Sequence, residues 1–276
     1  MELIDFDGLF DEKLTQYMSE NKEKYTEQQW ENVIPKLYKK FGDTYVAKIK
    51  CTPKEYYAKM TDETLIATLR GHLKADIPTP EFLCAEIESR DVFSILSPML
   101  FDNDVEMAIY AFNLIGDDKR AYEQYFQILE SCQADLDLQA DIVEVFKFHA
   151  DEVKQRAFEN YEKGVATEYM LEIISRVKEK EERIYQALMQ AFLSDELLSV
   201  RASYLAAYGD ERALPILLKR IEDESIGFVE FQELKYAIEA LGGEYNKIRD
   251  FAADKDFLAV EAAISQTVSD KNVLKS

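Results

Sequence analysis

The residues with chemical potential in this chain are few, and their spacing argues against most catalytic centres. There are two histidines, His72 and His149, and three widely separated cysteines, Cys51, Cys84 and Cys132. With no HExxH and no CxxC pair, zinc ligation is not expected. No GxGxxG or P-loop is present, so no phosphate-cradling loop is expected. The segment Gly227-Phe228-Val229-Glu230-Phe231-Gln232-Glu233 copies the second half of a calcium-binding EF-hand loop. Its first half fails, because Glu222 and Ile226 fall at the first and fifth positions, and Ile226 offers no side-chain oxygen. Carboxylate pairs occur throughout a chain with 54 acidic residues, so none marks a general acid–base site. No catalytic, cofactor-binding or metal-binding residue is assigned, and an enzymatic role is not favoured.

Charge narrows the partners. Against 33 basic residues the acidic excess gives a net charge of −21, a surface that repels phosphate backbones and anionic lipid. Nucleic acid and membrane are therefore not expected partners, whereas a basic protein is. The N-terminus MELIDFDGLF carries acid where a secretion signal carries basic residues. The apolar stretch from Val92 to Phe101 is about half the ~20 residues needed to span a bilayer. A cytoplasmic location with reduced thiols follows as the expectation.

These residues must be positioned by helices. Only 9 Gly and 6 Pro punctuate 276 residues, too few for a turn-rich sheet fold, while 47% of the chain is hydrophobic. The first eighty residues read as capped helices: one near Asp7 to Lys22, one opened by the capping box Thr26/Gln29, and one opened by Thr52-Pro53-Lys54-Glu55. Further starts fall at Thr61 and at Thr79-Pro80-Glu81. Pro35 could kink or divide the second helix. Tyr38, Tyr45, Tyr56 and Tyr57 make this region tyrosine-rich.

From residue 79 onward the chain repeats. Segments beginning at Leu114, Phe148, Arg176, Ala207 and Ala240 superpose with offsets of 34, 28, 31 and 33 residues. In each, an apolar helix end meets a break (Gly116, Ala150, Lys178, Gly209 and Gly242), then polar residues, then a new helix. The inner face of the helix before each break is read as Val105, Ala108, Ile109, Phe112 and Ile115 in the first unit, with matching sets in the others. His149 falls in that apolar column, so a packed core histidine is expected; His72, near a helix end, is expected to meet helix carbonyls. The third unit, with Lys178 in a charged run, departs from the pattern.

The stretch Tyr208-Gly209-Asp210-Glu211-Arg212-Ala213-Leu214-Pro215-Ile216-Leu217-Leu218, followed by Tyr236-Ala237-Ile238-Glu239-Ala240-Leu241-Gly242, resembles the short HEAT-like repeats of phycobilin-lyase-type proteins. That resemblance implies an all-α superhelix, a solenoid of about five helical hairpins over residues 79–276. It is preceded by an N-terminal helical region, residues 1–78, that is a cap or a separate small domain. The resemblance also implies that the helices before each break line the concave side. Opposite the core face those helices carry Glu106, Tyr110, Asn113, Glu144, Glu172, Tyr236 and Glu239, the candidate partner-binding residues. The expected function is a non-enzymatic scaffold with an acidic concave surface. The alternative is a small-molecule carrier or enzyme with a pocket between the N-terminal helices and the repeats. Oligomeric state and partner identity stay open at this level.

Overall fold

The computed structural model describes residues 3–22 and 24–263. Among these the chain is all-α, and its β structure is confined to an isolated antiparallel bridge between Val46 and Cys51. Its Cα packing divides the chain into two compact units, with the division between residues 139 and 140.

The first unit contains α1 (Phe6–Glu20), α2 (Glu27–Phe41), α3 (Pro53–Ala58), α4 (Asp62–Lys74), α5 (Glu81–Glu88), α6 (Phe93–Leu96), α7 (Val105–Ile115) and α8 (Tyr122–Ser131). The helix α9 (Leu136–Phe148) spans the division. Local chemistry explains where these helices begin. Thr26 and Thr52 each form the full reciprocal capping box with Gln29 and Glu55, and Pro53 occupies the first turn, where its missing N–H costs nothing. Thr61 caps α4 through the Thr64 N–H. α2 runs uninterrupted through Pro35. Pro35 and Glu31 are both exposed, so water can take up the carbonyl that loses its helical partner.

Of the tyrosines in this region Tyr38, Tyr56 and Tyr57 pack against other rings, whereas Tyr45 is 62% exposed. Tyr38 stacks on Phe82 with centroids 4.7 Å apart and donates to Asp7 Oδ1 at 2.5 Å. Phe6 meets Tyr57 edge-on at 5.6 Å, and Tyr57 is fully buried. α3 packs against α5, and α4 against α5 and α7, so helices on both sides of residue 78 share one core. Arg90 strengthens this junction: it donates to the Ala58 and Met60 carbonyls at the end of α3 and to Asp62 in the first turn of α4.

The second unit contains α10 (Ala150–Glu162), α11 (Thr167–Ile174), α12 (Glu182–Leu193), α13 (Leu198–Tyr208), α14 (Leu214–Arg220) and α15 (Phe228–Ala240). α11 packs on α10, α12 and α13, while α15 packs on α13 and α14. Met170, Ile173, Ile174, Leu205, Leu234 and Ile238 are all buried there, as the apolar periodicity requires.

The breaks follow the glycines. Gly116, Gly209 and Gly242 have φ of +60°, +72° and +81°, the region where a side chain is strained. Two of the breaks carry the same lock. Asp118 and Asp210 each cap a 3-10 turn, and the arginine two residues on folds back onto the same carboxylate. Arg120 then reaches Asp91 at 2.8 Å and covers the Phe93 ring; Arg212 reaches Glu182 at 2.7 Å and covers Tyr185.

Five expectations need correction. Ala150 is the first residue of α10 and not a break; His149, its N-cap, is a partly exposed residue 3.4 Å from Glu152, because α9 ends at Phe148, which is 83% exposed. Val105, expected on the inner face, is 47% exposed at the start of α7. No helix follows Gly242 directly: residues 243–250 are irregular, and helix resumes at residue 255. There the chain is held by Arg249, which donates to the Ile221 and Asp223 carbonyls, and by Phe251 packed on Phe228 and Phe231. His72 meets a loop carbonyl, that of Pro78 at 2.9 Å, and is fully buried.

Candidate functional site

Of the seven candidate partner-binding residues, Glu106, Tyr110 and Asn113 lie in the first unit on α7. Their spacing of four and three residues places them on one helix face, with Glu106 and Asn113 exposed and Tyr110 half-buried. The other four lie in the second unit. There Glu144 and Glu172 converge on one cation: Lys147 Nζ is 2.6 Å from Glu144 and 2.9 Å from Glu172. Burial opposes the charge on Lys147, but the two carboxylates outweigh it and hold its pKa above the ordinary lysine range. Two carboxylates on one ammonium leave a net negative charge, with Glu144 exposed to solvent. Tyr236, 66% exposed, and Glu239 follow each other on the outer face of α15, where Glu239 lies 3.9 Å from Lys235.

Several arginines are paired with the chain's own acids. Arg120 and Arg212 are raised further above their already high pKa values by the carboxylates they clasp, and Asp118 and Asp210 are correspondingly lowered. A cavity of about 320 Å³ adjoins the first of these locks, between Arg90, Asp91, Phe93 and Arg120. Its arginines are spent on Asp62, Glu86, Asp91 and Asp118, which leaves no uncompensated cation there to hold an anion.

A buried charge sits in the second unit. Arg201 is 7% exposed; its guanidinium bonds Glu168 Oε1 at 2.5 Å, the Ala191 carbonyl at 2.9 Å and the Ser194 hydroxyl. Through these bonds it joins α11, α12 and α13. The EF-hand-like segment does not form a loop. Gly227 caps α15, with its N–H bonded to Glu230 at 2.8 Å, and residues from Phe228 onward are helical, so their oxygens cannot wrap a cation. Among the described residues no group of three or more His, Cys, Asp or Glu is placed to hold a metal ion, and no helix is long and apolar enough to cross a membrane.

Sequence reasoning missed one feature of the first unit. The turn Ser97–Phe101, the start of α7, the end of α8 and the start of α9 enclose a cleft of about 350 Å³. Leu100, Ala108, Ile128 and Leu138 are buried around its base, while Phe101 (51% exposed) and Val105 open onto it. Asp102 and Asp135 also line it. Both are helix-entry residues: Asp102 accepts from the Asp104 N–H, and Asp135 caps α9 through the Asp137 and Leu138 N–H groups. The signal in the sequence was an apolar residue beside an Asp-x-Asp pair, Phe101 before Asp102 and Leu136 after Asp135.

No family model, curated protein or solved structure matches this chain.

Proposed function

We propose that this chain is a non-enzymatic, cytoplasmic interaction module of HEAT-like helical hairpins whose acidic helix faces engage a basic protein partner. The observation that carries the reading is the disposition of charge. Arginines 90, 120, 201, 212 and 220 are held in intrachain ion pairs, while Glu106, Glu144 and Glu239 stand exposed on α7, α9 and α15. With these five arginines committed to intrachain pairs and 54 acidic residues against 33 basic, the excess charge left to the surface is acidic. Nucleic acid and anionic membrane are disfavoured by the same argument. The alternative of a small-molecule pocket beside the tyrosine-rich helices has less support, since Tyr38 and Tyr57 are used in ring packing.

The test is an array of short peptides matched in apolar content and graded in charge, probed with the full-length chain at physiological salt. Preferential retention on basic members is expected. Equal retention on acidic members, or none at all, would end the proposal. A metabolite thermal-shift panel run in parallel addresses the alternative, because a ligand that binds only the folded state raises the unfolding temperature.

A further inference from the structure

The cleft between the start of α7 and the turn into α9 differs from the rest of the candidate surface in pairing apolar walls with acid. Singly exposed apolar side chains need no explanation, but here Phe101 and Val105 open onto one recess, and Leu136, 72% exposed, follows Asp135 at its edge. Asp102 and Asp135 line it, and the exposed Asp104, Glu106 and Asp137 neighbour lining residues along the chain. Arg70, 3.2 Å from Asp102, is the cation that touches this group among the described contacts.

We propose that this cleft receives an apolar side chain of a partner polypeptide in which that residue is flanked by lysine or arginine. The proposal rests on the reading of the chain as an acidic interaction module and names where and how that module grips. Charge decides the occupant. A second copy of a chain carrying −21 would bring like charge to an acidic rim, and an anionic lipid surface would be repelled in the same way. A basic segment instead gains from the rim at long range, and its apolar side chain covers Phe101 and Val105 on arrival. The apolar contact sets the residence time and the rim sets the rate of encounter.

The experiment selects short peptides from a random displayed library against the full chain, then measures affinities of enriched sequences by fluorescence anisotropy. Expected sequences carry an aliphatic or aromatic residue between basic ones. Phe101→Ser/Val105→Ser should weaken their binding about tenfold or more, the equivalent of ~1.4 kcal/mol. Asp135→Asn keeps an oxygen to cap α9 and removes only the charge; it should weaken binding several-fold at low salt and little at high salt. It also serves as the readout if the double variant fails to fold. Glu12→Gln, exposed on α1 outside the candidate faces, should leave affinity unchanged, while Tyr236→Ser/Glu239→Gln tests the competing face on α15 and should weaken binding less than the cleft variants. If basic peptides are enriched but lose affinity only with the α15 variant, the cleft assignment is wrong and the acidic-module reading survives. If enriched peptides lack basic residues, or none is enriched, both are overturned.

Discussion

Removal of one hydroxyl should have opposite effects at two buried tyrosines. Tyr208 ends α13 at 1% exposure, and its hydroxyl accepts from the Glu181 N–H at 2.7 Å and donates to the Glu181 carbonyl at 3.1 Å. It thereby ties the end of α13 to the residue that opens α12. Each such bond contributes about 0.5–1.5 kcal/mol net, and Glu181 is half-buried, so water can partly replace the lost partner. Tyr208→Phe should therefore cost about 1–2 kcal/mol. Tyr57 is buried at 0% exposure among Phe6 and Tyr56, and its hydroxyl has no hydrogen-bond partner among the described residues. Tyr57→Phe removes an unsatisfied buried polar group without leaving a cavity and should be neutral or stabilising by up to about 1 kcal/mol. Urea unfolding with far-UV detection gives both values, provided the slope is unchanged. Because the chain has two compact units, amide exchange around Glu181 should report the Tyr208 change locally. The reasoning fails if Tyr208→Phe costs under about 0.5 kcal/mol, or if Tyr57→Phe costs more than about 1 kcal/mol.

Three further outcomes can be checked together. Glu168→Gln leaves the buried Arg201 charge with only the longer, exposed Glu196 carboxylate at 3.5 Å and should cost about 1–3 kcal/mol, reduced further because Glu168 is 35% exposed; replacing both Glu168 and Arg201 with Met should recover most of that in a double-mutant cycle. Ala166 caps α11 at φ +49°, so Ala166→Gly should stabilise by up to about 1 kcal/mol, whereas Gly209→Ala at φ +72° should destabilise by about 1–2 kcal/mol in the same unfolding assay. Burial, helped by Glu88 and Glu81, pushes the Cys84 thiol up to about 11, so it should react slowly with a thiol reagent at mildly alkaline pH while the exposed Cys132 reacts first. The unfolded chain's thiol releases its proton near its ordinary value of about 8.5. The Cys84 contribution to stability is thus fully present below that pH and is lost as pH rises towards 11; a Cys84→Ala variant should show a flatter decline over that window.

Local chemistry was legible before the structure. The capping boxes at Thr26 and Thr52 and the positive-φ closures at Gly116, Gly209 and Gly242 are decided by residues within one turn of each other. The all-α class and most buried columns followed from periodicity. What could not be read depends on distant contacts. Residues 243–250 carry no break signal that distinguishes them from the segment after Gly209, yet Arg249 fastens them to carbonyls 26 and 28 residues earlier. Val105 matches the apolar column, but whether that column is covered at its first position depends on where the turn into α9 lies. The division near residue 139 falls inside α9, where neither composition nor helical pattern changes. Of the candidate faces, the convergence of Glu144 and Glu172 on Lys147 brings together residues of α9 and α11, and no spacing within one helix announces it.

The central claim, that the acidic surface is what a partner binds, is tested most directly by the salt dependence of affinity for the basic peptide that the charge-graded array retains best. The account predicts that affinity falls steadily as salt is raised, and that an acidic peptide with the same apolar residues binds much more weakly at physiological salt. An affinity indifferent to salt, or an acidic peptide that binds equally well, would contradict it.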